Sequence, residues 1–198
     1  MKKLFWGFFF IFLDFNIDFD TIRIGLIPAF VGYLLLFSGL AELSEESPRF
    51  EKIRPFCIVM AVYTGFLWVG DLFGLSLTAP PVVLVLLSVA SAVLSYYISF
   101  CIVWGIGDIE ASNRYPLGAE RLKKCWFALI ILHTLSLLCA YMQMAGIVFL
   151  GLVCGLVALI CFLCFFYRTK NNYLAMKKQQ ASESRIENEW NGDGNDYR

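Results

Sequence analysis

Histidine occurs once, proline six times, and Asp, Glu, Lys and Arg together make up 16% of the chain, against about a quarter in ordinary soluble domains. A single histidine cannot build a metal centre without several partners, and no His-Glu-x-x-His pattern accompanies it. Lys plus Arg and Asp plus Glu balance at 16 each, so no net field argues for nucleic acid or another polyanion as a partner. Gly-x-Ser-x-Gly, phosphate-loop and Gly-x-Gly-x-x-Gly motifs are all missing. The expected reading is therefore a protein that is not an enzyme and carries no cofactor.

What is present is apolar: 59% of the residues are hydrophobic and 17% aromatic, including 19 Phe, with a mean hydropathy of +0.69. This excludes a water-soluble globular domain, and for most of the length it excludes disorder. Leu72 to Gly107 is a stretch of 36 residues without a charge, and Cys125 to Tyr167 is one of 43. About 20 apolar residues span a bilayer as helix, so the longer run predicts a hairpin, with its turn at Met144-Ala145-Gly146. The remaining apolar segments are Leu4–Leu13, Ile24–Leu43, Phe56–Gly70 with Pro55 at its entry, and a segment starting at Pro80-Pro81. The fold class predicted is all-α, a polytopic membrane bundle of six segments in three hairpins. Its first segment is short, or re-entrant with the second.

Basic residues test this scheme independently. Alternating the loops across six crossings puts 15 of the 16 Lys and Arg on one side, with Arg23 alone on the other. Both termini are thus predicted to be cytoplasmic in a multi-pass protein of the cell membrane. Trp6, Trp104, Trp126 and Tyr167 fall near the inner ends of segments, and Trp68 and Tyr141 near the outer ends, where amphipathic rings anchor. Residues 1–167 read as one transmembrane domain, and 168–198 as a cytoplasmic tail, helical first and disordered beyond about Asn188.

Small residues predict where helices approach: Gly25, Gly32 and Gly39 every seven residues, Ser91, Ser95 and Ser99 every four, and the pair Gly151 and Gly155. They serve packing within the chain or against a membrane partner or second copy. The seven cysteines lie almost wholly in apolar segments and are odd in number, which excludes a disulfide framework.

Ionisable groups at membrane depth are expensive and point to function. Asp14, Asp18 and Asp20 alternate with Phe15, Ile17 and Phe19, which in an extended chain separates carboxylates from apolar side chains. The stretch begins like a calcium loop, but Phe19 stands where that loop needs glycine. It is either a solvated outer loop or a mouth that attracts cations. Asp71 ends the third segment on the same side, with Arg23 as counter-ion. His133 lies mid-segment beside Thr134 and Ser136, either as a neutral packing residue or as a contact for solute or proton. These five, Asp14, Asp18, Asp20, Asp71 and His133, are the candidate polar residues of a protein that binds or moves a small solute or cation. The competing reading is a membrane scaffold or interaction subunit.

Lys3-Leu-Phe-Trp-Gly-Phe-Phe-Phe-Ile-Phe-Leu-Asp14-Phe-Asn16-Ile, followed by Ile24-Gly-Leu-Ile-Pro28-Ala-Phe-Val-Gly32-Tyr, resembles small multi-pass membrane proteins of Gram-positive bacteria. That resemblance covers about the first third of the chain. It implies a bacterial cytoplasmic membrane location and carries no activity or site residue. In length and helix number the chain is also similar to the substrate-binding subunits of energy-coupling-factor vitamin transporters, with no motif behind that likeness.

Overall fold

A computed structural model describes residues 1–12, 16–19, 22–25, 28–73, 80–141 and 145–193. Six helices occupy most of them: α1 (Lys2–Phe12), α2 (Ala29–Leu43), α3 (Pro48–Leu72), α4 (Pro81–Asn113), α5 (Ala119–Tyr141) and α6 (Ala145–Asp193). Between α1 and α2 lie β1 (Asn16–Phe19) and β2 (Ile22–Gly25). Each helix packs against the next in sequence, and α6 returns to pack against α1, so the chain closes into a ring. Three helices are long and apolar enough to cross a membrane among the described residues, over Pro48–Gly70, Val82–Asn113 and Val153–Glu187.

Helix starts follow from local chemistry. Pro81 begins α4 at its first turn, where a missing amide costs nothing, as the tandem prolines predict. Pro48 does the same for α3, and Pro55 lies inside that helix rather than at its entry. The second segment was expected from Ile24, but Ile22–Gly25 is strand and α2 starts at Ala29. Apolar β-branched residues suit a short strand as well as a helix, and their pattern does not separate the two over four residues. The expected turn at Met144-Ala145-Gly146 shifts as well: α5 ends at Tyr141 and α6 already includes Ala145 and Gly146. At the other end α6 continues through Tyr167 as one helix to Asp193, beyond Asn188.

β1 and β2 pair antiparallel with Asn16 opposite Gly25, Ile17 opposite Ile24, Asp18 opposite Arg23 and Phe19 opposite Ile22. Ile17, Asp18 and Phe19 of the alternation thus lie on extended backbone, and β2 rests against α3. α1 and α2, at about 16 and 22 Å long, are each shorter than a hydrocarbon core of about 30 Å.

Glycine sets how closely these two helices meet. A Cβ placed on Gly32 would lie 2.8 Å from the Gly7 carbonyl oxygen and 3.1 Å from the Ile11 nitrogen, and one on Gly39 would strike Leu4. Two turns of backbone therefore touch, as the seven-residue glycine spacing predicts for Gly32 and Gly39; Gly25 lies in β2. The ring's seam is aromatic, with Phe8 of α1 edge-on to Phe162 and Phe166 of α6 at 5.6 and 5.2 Å between centroids.

The core fills one half of the bundle, from Leu43, Phe50, Ile109, Leu117 and Met176 at one end to about mid-height. This end carries Lys3, Arg49, Lys124 and Lys177 in ion pairs with Glu42, Asp108, Glu120 and Glu46, and is called the basic end below. Here Ser47 and Arg49 both donate to the Asp108 carboxylate, at 3.0 and 2.7 Å, joining α3 to α4. Tyr173 donates to Glu46 at 2.6 Å, fastening α6 to the turn after α2.

Candidate functional site

Burial stops partway along the ring. Counting from the basic end, the last buried side chains among the described residues are Phe8 on α1, Tyr33 on α2, Ala61 on α3, Ile98 on α4, Leu129 on α5 and Phe162 on α6. Beyond that level every residue of α4 from Val82 to Ala90 is exposed. Nine residues turn through two and a half full circles and rise about 13 Å, so over this length no face of α4 is buried. Ile131 and Leu135 of α5 and Val153, Leu156, Val157 and Ile160 of α6 are exposed at corresponding heights. The result is an opening along α4 above this level, while α5 and α6 stay joined by the short connection between Tyr141 and Ala145.

Polar groups collect where the packing ends. The Tyr33 hydroxyl, on α2, crosses the bundle to donate to Ser95 Oγ of α4 at 3.1 Å. One residue on, Tyr96 meets the His133 ring of α5 edge-on at 6.1 Å and 85°. The Tyr96 hydroxyl is shut off from solvent and faces the Thr134 side chain of α5. One turn deeper, Trp126 Nε1 donates to the buried Ser99 Oγ at 3.0 Å. The serine stripe of α4 therefore serves two neighbours, α2 through Ser95 and α5 through Ser99. The helices around the opening have no charged residue between Leu72 and Gly107 or between Cys125 and Tyr167, so hydroxyl, phenol and imidazole supply its polarity.

Of the five residues singled out from sequence, Asp14 and Asp20 lie outside the described residues. Asp18 sits on β1 opposite Arg23 of β2. Asp71 falls in the last turn of α3. His133 is exposed on α5, at the edge of Tyr96 rather than in the apolar core. Among the described residues no group of three His, Cys, Asp or Glu is placed to hold a metal ion. Cys57 and Cys101 are buried and Cys154, Cys161 and Cys164 exposed, all as free thiols.

Sequence reasoning missed Tyr33 and Tyr96. Their signal is faint but present: each is a hydroxyl-bearing ring inside an apolar segment, where an unpartnered hydroxyl is costly, and Tyr96 directly follows a serine of the stripe.

No protein-family model, no curated protein and no solved structure matches the chain.

Proposed function

We propose that this is a multi-pass protein of a bacterial cytoplasmic membrane that binds a small solute in the opening on its outer side, as a binding or transport component. The observation that carries the reading is the end of packing at mid-height, at a level marked by Tyr33, Ser95, Tyr96 and His133. The basic end is cytoplasmic in this reading, in line with the charge count, and the opening faces the exterior.

The β-hairpin supports a wetted opening. α1 rises about 16 Å, so a hairpin following it lies within the outer half of a core about 30 Å thick. Irregular backbone and open strand edges are tolerated at that depth where they are buried in protein or line a water-filled cavity. A hairpin against α3 bearing Asp18, with Asp14 and Asp20 beside it in sequence, fits the wall of such a cavity. Four acids against Arg23 favour a neutral or cationic solute over an anion. In this arrangement α1, the hairpin and α2 form a re-entrant pair, and α3 to α6 cross the membrane.

Thermal denaturation of the detergent-purified protein against amines, amino acids, vitamins and mono- and divalent cations tests this, since a ligand stabilises the state that binds it. A solute whose stabilising effect disappears in Asp18→Asn, Tyr33→Phe or His133→Ala supports the site. If no solute raises the melting temperature, and Ser91→Cys resists a charged thiol reagent added from outside, the opening is not wetted and the reading fails.

One observation favours the scaffold reading instead. A Cβ on Gly155 would meet nothing within 4 Å, so α6 is open to a partner helix at Gly155. Gly155→Leu would then dissociate a co-purifying partner without affecting solute binding.

A further inference from the structure

A second cavity lies at the basic end, between the last turns of α4 and the first turns of α5. It has a volume of about 580 Å³ and is lined by Trp104, Gly107, Glu110, Lys123, Lys124 and Phe127, among others. Glu110 to Trp104 spans about 9 Å along α4, enough to reach through one headgroup layer of about 5–8 Å if the basic end faces the cytoplasm. Charged groups line the cytoplasmic end and aromatic ones the membrane end. Trp104 and Phe127 meet edge-on at 5.6 Å between centroids, and Phe127 is half exposed.

The charges are unevenly committed. Glu110 accepts from the Ala119 amide at 2.7 Å, at the positive end of α5. Lys124 stands 3.7 Å from Glu120. Among the described residues Lys123 has no carboxylate partner; its ammonium sits over the Trp104 ring at 5.2 Å from the centroid. The bare backbone of Gly107 makes room for it, because a Cβ there would lie 2.8 Å from Lys123 Nζ. Among the described residues the cavity thus presents one cation without a carboxylate partner, held at headgroup depth over an aromatic floor. Above it run the exposed side chains Ile131 and Leu135 of α5 and Val93 and Val89 of α4.

We propose that this cavity binds an anionic phospholipid, with its phosphodiester on Lys123, its glycerol region against Trp104 and Phe127, and an acyl chain along the gap between α4 and α5. Basic pockets between membrane helices on the cytoplasmic side are suited to such headgroups, and a cation on an aromatic face keeps its charge while partly desolvated. The inference rests on the membrane reading and is independent of any solute in the outer opening.

The test compares melting temperatures of the full chain in detergent with added phosphatidylglycerol, phosphatidylcholine, inorganic phosphate or glycerol 3-phosphate. Phosphatidylglycerol at about ten times its dissociation constant is expected to raise the midpoint by about 4 °C beyond phosphatidylcholine. Lys123→Gln, which keeps the side-chain stem, is expected to abolish that difference while melting normally in phosphatidylcholine. Lys178→Gln, on the exposed tail of α6, is expected to leave the difference intact. The proposal is overturned if Lys123→Gln retains the full difference, or if Lys178→Gln loses as much of it. It is also overturned if the two soluble phosphates reproduce the shift, since the ligand would then not be a lipid.

Discussion

Alanine at Gly32 and at Gly155 should act in opposite directions. At Gly32 the new methyl would stand 2.8 Å from the Gly7 carbonyl oxygen and 3.1 Å from the Ile11 nitrogen. Both are backbone atoms, so no side-chain rotation relieves the clash, and α1 and α2 must separate by about 0.5 Å to restore ordinary contact. Overpacking of this kind costs about 1–3 kcal/mol, offset by up to about 1 kcal/mol of better helix propensity. The net loss of about 1–2 kcal/mol lowers the melting midpoint by about 3–6 °C in a chain of this size. At Gly155, where the methyl meets open space, propensity acts alone and raises the midpoint by about 2–4 °C. Both variants are to be measured by tryptophan fluorescence melting in one detergent. A Gly32→Ala protein as stable as the parent would refute the close approach of α1 and α2. A Gly155→Ala protein that melts lower would refute the open face on α6.

At the basic end, Asp108→Ala should cost more than Asp108→Asn in the same melting assay. The exposed pairing with Arg49 is worth up to about 1 kcal/mol, but Ser47 is buried and needs an acceptor, which Asn supplies and Ala does not. Tyr173 gives a pH dependence. Burial and its hydrogen bond to Glu46 push this phenol above its ordinary range, so the folded state holds the proton more tightly than the unfolded. Its stabilisation is complete below about pH 10 and is lost as the pH rises beyond that value. Melting curves from pH 7 to 11 should fall on the alkaline side, and Tyr173→Phe should flatten that fall.

Sequence carried the helices further than it carried their arrangement. Pro81 announces α4 because proline at a first turn costs no hydrogen bond, and the seven-residue glycine spacing announces the approach of α2 to α1 because nothing larger fits. Extended backbone at Asn16–Phe19 is foreshadowed by the alternation of acids with Phe and Ile. The strand at Ile22–Gly25 was hidden, since a short apolar run reads equally well as the start of a helix. Pro55 misled for a related reason, as Pro48 had already opened α3 seven residues earlier. The candidate site was partly legible: the serine stripe and His133 stood out, whereas the Tyr33 to Ser95 bond joins residues 62 positions apart. No local pattern records a contact across the middle of a ring.

The seam between α1 and α6 also bears on how the chain is made. Phe8 meets Phe162 and Phe166, so α1 finds this partner about 150 residues later, or after about 8–30 s of synthesis. During that interval the aromatic flank of α1 lacks α6, and α2 is the neighbour already made, with which α1 packs glycine-tight. The ring is a fold that waits for its last helix, and truncation within α6 should leave an early intermediate with that flank uncovered.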